Sequence, residues 1–217
     1  QFSQLNSETL KQLHDDILLN LLRKFIKIIK RDQIENISLS NPHIAAFLII
    51  NLEHYLTKEH YRSMNFDEVS IITHKENNIN VIDIIRKKNR YRDISTTQLN
   101  QLDFTDCINI KHILDCDREK EVTKENCYKI NLKNIEMLNE NQKIKLIRAF
   151  TEFFNEEQIN DLDITKTDVL NIVIQKNRTN SLKKENFQLI DVKQLSNKYL
   201  SKLIIDEFFL FLKRADD

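Results

Sequence analysis

The chain of 217 residues has no glycine and a single proline, Pro42. Dinucleotide-binding turns and P-loops need glycine to bring backbone against phosphate, which argues against both, and a G-x-S-x-G nucleophile elbow cannot be written at all. Turns that require positive φ fall instead to Asn and Asp, which tolerate the left-handed region better than other residues carrying a Cβ. Cysteine is scarce as well. Cys107, Cys116 and Cys127 are odd in number and form no C-x-x-C pair, which suggests neither a disulfide framework nor a zinc ribbon. Reduced thiols and a cytoplasmic setting are expected. Apolar runs such as Ala45 to Ile50 fall far short of the roughly 20 residues that span a bilayer. No secretory signal is visible, although the chain opens at Gln1 rather than at Met.

Neither sign of charge is in excess. Thirty-three basic residues balance thirty-three acidic ones, which argues against a general nucleic-acid or anionic-membrane binder. With 41% hydrophobic and 30% charged residues the chain should fold rather than stay disordered. The abundance of Ile, Asn and Lys is that of an AT-rich genome, and a microbial protein acting on host proteins in the host cytosol is one setting that fits.

What the sequence does contain is a repeat. Lys184-Glu185-Asn186-Phe187-Gln188-Leu189-Ile190-Asp191-Val192 echoes Lys124-Glu125-Asn126-Cys127-Tyr128-Lys129-Ile130-Asn131-Leu132 sixty residues earlier. Reduced to types the unit is apolar-x-x-apolar-x-apolar, which predicts a short alternating strand. Further copies are read at Ile34-x-x-Ile37-x-Leu39, Phe66-x-x-Val69-x-Ile71, Leu99-x-x-Leu102-x-Phe104 and Ile159-x-x-Leu162-x-Ile164. The second apolar positions, Ile37, Val69, Leu102, Ile130, Leu162 and Ile190, are separated by 32, 33, 28, 32 and 28 residues. A spacing this regular predicts a stacked array.

Between the strands, helical periodicity is legible. A helix capped by Ser7 and running to about Arg31 is expected to close the first repeat. Its basic end leaves a membrane-surface or partner-binding role as the alternative. Asn41 followed by Pro42 reads as a cap with proline at the first helical position, and a helix is predicted from about His43 to Leu56. Others follow over Ile79 to Lys88, over Ile108 to Leu114 as a short helix or single turn, and, with Asn139 as cap and Gln142 three residues on, through Phe154. The last two cover Val169 to Ile174 and Ser196 to Leu212, the latter as a terminal cap. The domain reading is a cap over residues 1–33 followed by one array over 34–217.

The L-x-x-L-x-L core and the strand-helix alternation resemble the leucine-rich repeat family, in particular its long-repeat, ribonuclease-inhibitor-like class. The resemblance covers Ile34 to about Leu212. The family's next position, usually Asn or Cys, holds Pro42, His74, Cys107, Ile135, Thr167 and Leu195 here, so one of six conforms. The resemblance implies an α/β solenoid of six strand-helix units with a parallel sheet and an N-terminal helical cap, irregular and shallowly curved. The alternative is an all-α bundle or helical repeat, with the strand-like segments as loops.

In the solenoid reading, the residues between the apolar positions project from an open sheet face: Ser38 and Ser40, Ser70, Asp103 and Thr105, Asn131 and Lys133, Asp163 and Thr165, Asp191 and Lys193. That face either binds another protein or is simply kept polar against aggregation. Other constellations are weaker. His112 and Cys116 share a helical face and Cys107 lies nearby, yet two or three such residues without metal spacing are also ordinary core positions. His54 and His60 make no H-E-x-x-H pattern. The run Arg86 to Arg92 could dock an acidic partner or phosphate, or could be a solvated helix end. The expectation is a protein-protein interaction module with no catalytic motif, no metal, no cofactor, and neither nucleic acid nor membrane as partner. The alternatives are an all-helical scaffold or regulatory domain and, behind it, an enzyme with an unfamiliar site around His112 and Cys116.

Overall fold

The computed structural model describes residues 5–64, 66, 72–74, 77–79 and 81–205. Among them the sheet structure is one antiparallel hairpin, Ile72–His74 with Asn77–Ile79, in which Thr73 faces Asn78. The expected parallel sheet is not there. The α/β leucine-rich-repeat-like solenoid is corrected to an all-helical repeat. Each copy of the pattern opens with a single helical turn: Arg31–Ile34, Lys58–Arg62, Thr96–Asn100, Lys124–Cys127, Glu156–Asn160 and Lys184–Phe187.

The reason lies in the spacing. An i,i+3 step followed by an i,i+2 step suits a strand only if the first step is stretched; here it is wound. The second apolar residue donates its N–H to the carbonyl of the first in every copy, as in Ile37 to Ile34 at 3.0 Å, Ile130 to Cys127 at 3.2 Å and Ile190 to Phe187 at 3.2 Å. Only the last step is extended, so Leu102 and Phe104 turn inward while Asp103 and Thr105 face water. Period-two burial thus survives without a sheet. The second copy also shifts. Tyr61, Met64 and Phe66 carry the buried pattern, whereas Val69 and Ile71 lie outside the described residues.

A side-chain ladder replaces the backbone ladder of a sheet. The residue before the first apolar position is Gln33, His60, Gln98, Asn126, Gln158 or Asn186. The first five are almost fully buried. Gln98 Nε2 donates to Tyr61 O at 2.9 Å and Met64 O at 2.7 Å. Gln158 Nε2 repeats this on Cys127 O at 2.9 Å and Ile130 O at 2.8 Å. These carbonyls end a one-turn helix and have few internal partners, so the amide satisfies groups that would otherwise be stranded in the core. The amide oxygen turns back to cap its own helix, accepting from Ser95 N at 2.7 Å and Asn155 N at 3.0 Å. His60 plays the same part with Nε2 on Ile34 O at 2.9 Å and Nδ1 on Thr57 N at 2.9 Å, which fixes the Nε2–H tautomer.

Two compact units divide the chain, Gln1–Leu102 and Asp103–Asp217. In the first, the N-terminal stretch is broken into Ser7–Lys11, Asp15–Phe25 and Arg31–Ile34, with Asn6 rather than Ser7 as the first cap. The helix Pro42–Leu52 packs between Asp15–Phe25 and Val81–Lys87. It buries Ile44, Ala45, Ala46, Phe47, Leu48 and Ile49, apolar all round because neighbours cover it on both flanks. Its start is the expected one, with Asn41 Oδ1 accepting from His43 N at 2.9 Å and Pro42 at the first turn.

In the second unit Glu140–Phe150 packs between Cys107–Asp115 and Thr167–Gln175. Asn139 and Gln142 cap it reciprocally, as expected. Residues 197–205 form the last described helix, and Leu203 joins Leu195 in covering Leu170 and Ile174.

The missing glycine is replaced as expected. Asn89, Asp117 and Asn177 adopt φ of 52°, 57° and 55°, each just past a long helix. The next residue is Arg in all three, and its N–H closes the helix end on Ile85 O, Ile113 O and Val173 O at 2.9 to 3.1 Å. The Arg178 guanidinium reaches the previous repeat, donating to Glu152 O at 2.9 Å and Phe154 O at 2.6 Å. Asn177→Ala should lower the stability of the second unit by about 1 kcal/mol, the cost of a Cβ in the left-handed region, whereas Asn177→Gly should not lower it. Urea midpoints for the two variants check this; equal losses would count against it.

Candidate interaction surfaces

The residues expected on a sheet face lie in the turns that follow the one-turn helices, and those described are exposed. Asp103 Oδ1 accepts from Thr105 N at 2.9 Å, Asn131 Oδ1 from Lys133 N at 3.0 Å, Asp163 Oδ1 from Thr165 N at 3.3 Å and Asp191 Oδ1 from Lys193 N at 3.1 Å. Ser38 Oγ accepts from Ser40 N at 3.1 Å in the same way. Ser70 lies outside the described residues. Each short side chain therefore bonds its own backbone two residues on, which bends the chain toward the next helix. The polar pattern read as a binding face is in the first place a set of turns.

Around Lys133 and Asp163 the turns border a hollow. A cleft of about 230 Å³ lies between the turn at 132–136, the helix Glu140–Phe150 and the turn at 161–166. Leu132, Ile135, Ile144, Ile147, Leu162 and Val169 form its apolar floor. Lys133, Lys143 and Lys166 on the rim are matched by Glu136, Glu140, Asp161 and Asp163. Lys133 meets Asp161 at 3.3 Å, and Glu140 takes Lys143 at 3.0 Å and Lys166 at 2.8 Å. Hydrogen bonds from Lys166 and Lys143 hold the Glu140 carboxyl below its ordinary range. All three ammonium groups are thus engaged, whereas Glu136 has no ion partner among the described residues. A second hollow, about 260 Å³, adjoins across the Lys133–Asp161 pair and includes Asn131 and Tyr128. Tyr128 is among the more exposed large apolar residues.

The other sequence candidates resolve into structure. Among the described residues no three His, Cys, Asp or Glu side chains are placed to hold a metal ion. Burial, then the Asp106 charge, pushes the Cys107 thiol up, and burial pushes Cys127 to about 12, so neither supplies a thiolate at neutral pH. His112 and Cys116 occupy the end of one helix, joined by Cys116 N on His112 O at 3.0 Å. His54 lies against Tyr55 with ring centroids 4.0 Å apart. The basic run is largely neutralised where it sits. Arg90 and Lys88 meet Glu53 at 3.0 and 2.7 Å, Arg86 meets Asp83 at 3.5 Å, and Arg90 also lies over the Tyr61 ring. Burial would raise the Glu53 carboxyl, yet the bonds from Lys88 and Arg90 outweigh it and leave the group below its ordinary range.

Two features escaped the sequence reading. The buried amide ladder had a signal, a Gln, His or Asn directly before the first apolar position of every copy. The Arg after each left-handed Asn or Asp was also there to be read, in Asn89-Arg90, Asp117-Arg118 and Asn177-Arg178.

No family model, no curated protein and no solved structure matches the chain. No helix among the described residues is long and apolar enough to cross a membrane.

Proposed function

We propose that the chain is a protein-interaction module, an all-helical scaffold that takes a segment of a partner protein in the cleft between the turns at 132–136 and 161–166. The observation that carries this reading is the pairing of an apolar floor with a rim on which carboxylates outnumber ammonium groups. An apolar side chain of the partner would leave water on the floor, and basic residues beside it would meet Glu136 and Asp163. The expected ligand is therefore a cationic segment with an apolar anchor.

The test uses a labelled peptide alternating Lys-Lys with Leu. Glu136→Gln combined with Asp163→Asn removes two charges but keeps the Asp163 turn, because Asn131 makes the same turn in the preceding repeat. Affinity is expected to fall about tenfold, with the loss shrinking at high salt. Binding that is indifferent to the double variant, or chemical-shift changes that miss Ile144 and Val169, would reject the cleft.

A further inference from the structure

The other flank of the helix Glu140–Phe150 borders a larger hollow of about 570 Å³, facing the segment 119–122. The residues that line it from the helix and just past its end are Lys145, Arg148, Ala149 and Glu152. Arg148 and Ala149 lie three and four residues after Lys145, and Glu152 lies four and three after them, so all four share one face. They belong to a different face from Glu140, Lys143, Ile144 and Ile147, which line the first cleft. Cations converge on the hollow from three segments: Lys120, then Lys145 and Arg148, then Lys176. Their commitments differ. Lys145 is spent inside the fold, donating to Leu114 O and Asp117 and lying 3.5 Å from Glu119. Burial would lower its ammonium, but those carboxylates outweigh burial and keep it charged. Lys176 has a long contact of 3.7 Å with Glu152. Lys120 and Arg148 are exposed and make no ion pair among the described residues. Val122, Ala149 and Phe153 supply an apolar floor between them.

We infer that this hollow is a second docking surface, opposite in preference to the first, and that it takes an acidic segment of a protein. An apolar side chain on the floor would set flanking carboxylates against Arg148, whose planar fork donates to two oxygens at a time, and against Lys120. The inference goes beyond the cleft proposed for a cationic segment and does not depend on it. With both surfaces on one helix, the second unit would bridge two partners of opposite charge.

The probe is a fluorescein-labelled peptide alternating Glu-Glu with Leu, titrated by anisotropy at low salt and again at high salt. Saturable binding that weakens with salt is expected, with shifts at Ala149, Phe153 and Lys176. Lys120→Glu combined with Arg148→Glu should cut affinity at least about tenfold, and Arg148→Lys should lose less. Neither should change the melting temperature, which separates lost binding from lost structure. The variant at Glu136 and Asp163 should bind the acidic peptide as the parent does. No binding at millimolar peptide, an affinity untouched by the double charge reversal, or equal shifts at these residues from the cationic peptide would overturn the inference.

Discussion

Gln158→Leu is expected to destabilise the second unit by about 3 kcal/mol, although it exchanges a polar residue for an apolar one of similar size in a buried position. The amide makes three bonds at once: Nε2 to Cys127 O and Ile130 O, and Oε1 from Asn155 N. Leucine makes none. Cys127 O keeps its bond from Ile130 N and Asn155 can turn to water, so the loss falls mainly on the Ile130 carbonyl and the helix cap. A stranded buried acceptor costs about 1–3 kcal/mol and a lost cap about 1 kcal/mol. Gln98→Leu should behave alike in the first unit, where the amide meets Tyr61 O and Met64 O. His60→Gln should be tolerated, since Gln already holds the equivalent place in three other copies. Urea unfolding of the four proteins decides the matter. A loss below about 0.5 kcal/mol for Gln158→Leu would mean that water satisfies those carbonyls and the ladder is incidental.

The same ladder explains what the sequence could and could not reveal. The repeat, the inward apolar positions and the outward Asp103, Asn131, Asp163 and Asp191 were legible, because burial depends on spacing and hydrophobicity alone. Secondary structure within the unit was not, since the apolar-x-x-apolar step fits a helical turn as well as a strand, and only the neighbouring Gln distinguishes them. A parallel sheet would satisfy these carbonyls from backbone, with no need for a buried Gln or His beside them. Asn and Asp as the substitutes for glycine at left-handed caps were predictable, because no other residues in this composition tolerate that region as well. The candidate clefts were half visible. Lys133 and Asp163 were named, but Ile144 and Arg148 reach the hollows from a helix and Glu136 from a turn, and no strand-based register places them there.

Ile174→Ala should detach the last described repeat without unfolding the repeats before it. Ile174 is fully buried, and with Leu170 it forms the surface that Leu195 and Leu203 cover, while Phe187, Ile190, Tyr199 and Leu200 pack around them. Tyr199 also accepts a hydrogen bond from Gln175. Because no sheet runs through this junction among the described residues, side-chain packing has to supply most of its cohesion. Removing three carbons from a close-packed site costs about 2–5 kcal/mol, through lost transfer energy and the cavity left behind. Repeat proteins distribute stability over nearest-neighbour interfaces, so a loss at one junction stays near it. Hydrogen exchange should accelerate from about Leu182 to Ile205 by more than tenfold while the amides of Glu140–Phe150 stay protected. If protection fell equally in that helix, the second unit would unfold as one body. In that case neither cleft could be probed by editing its neighbours.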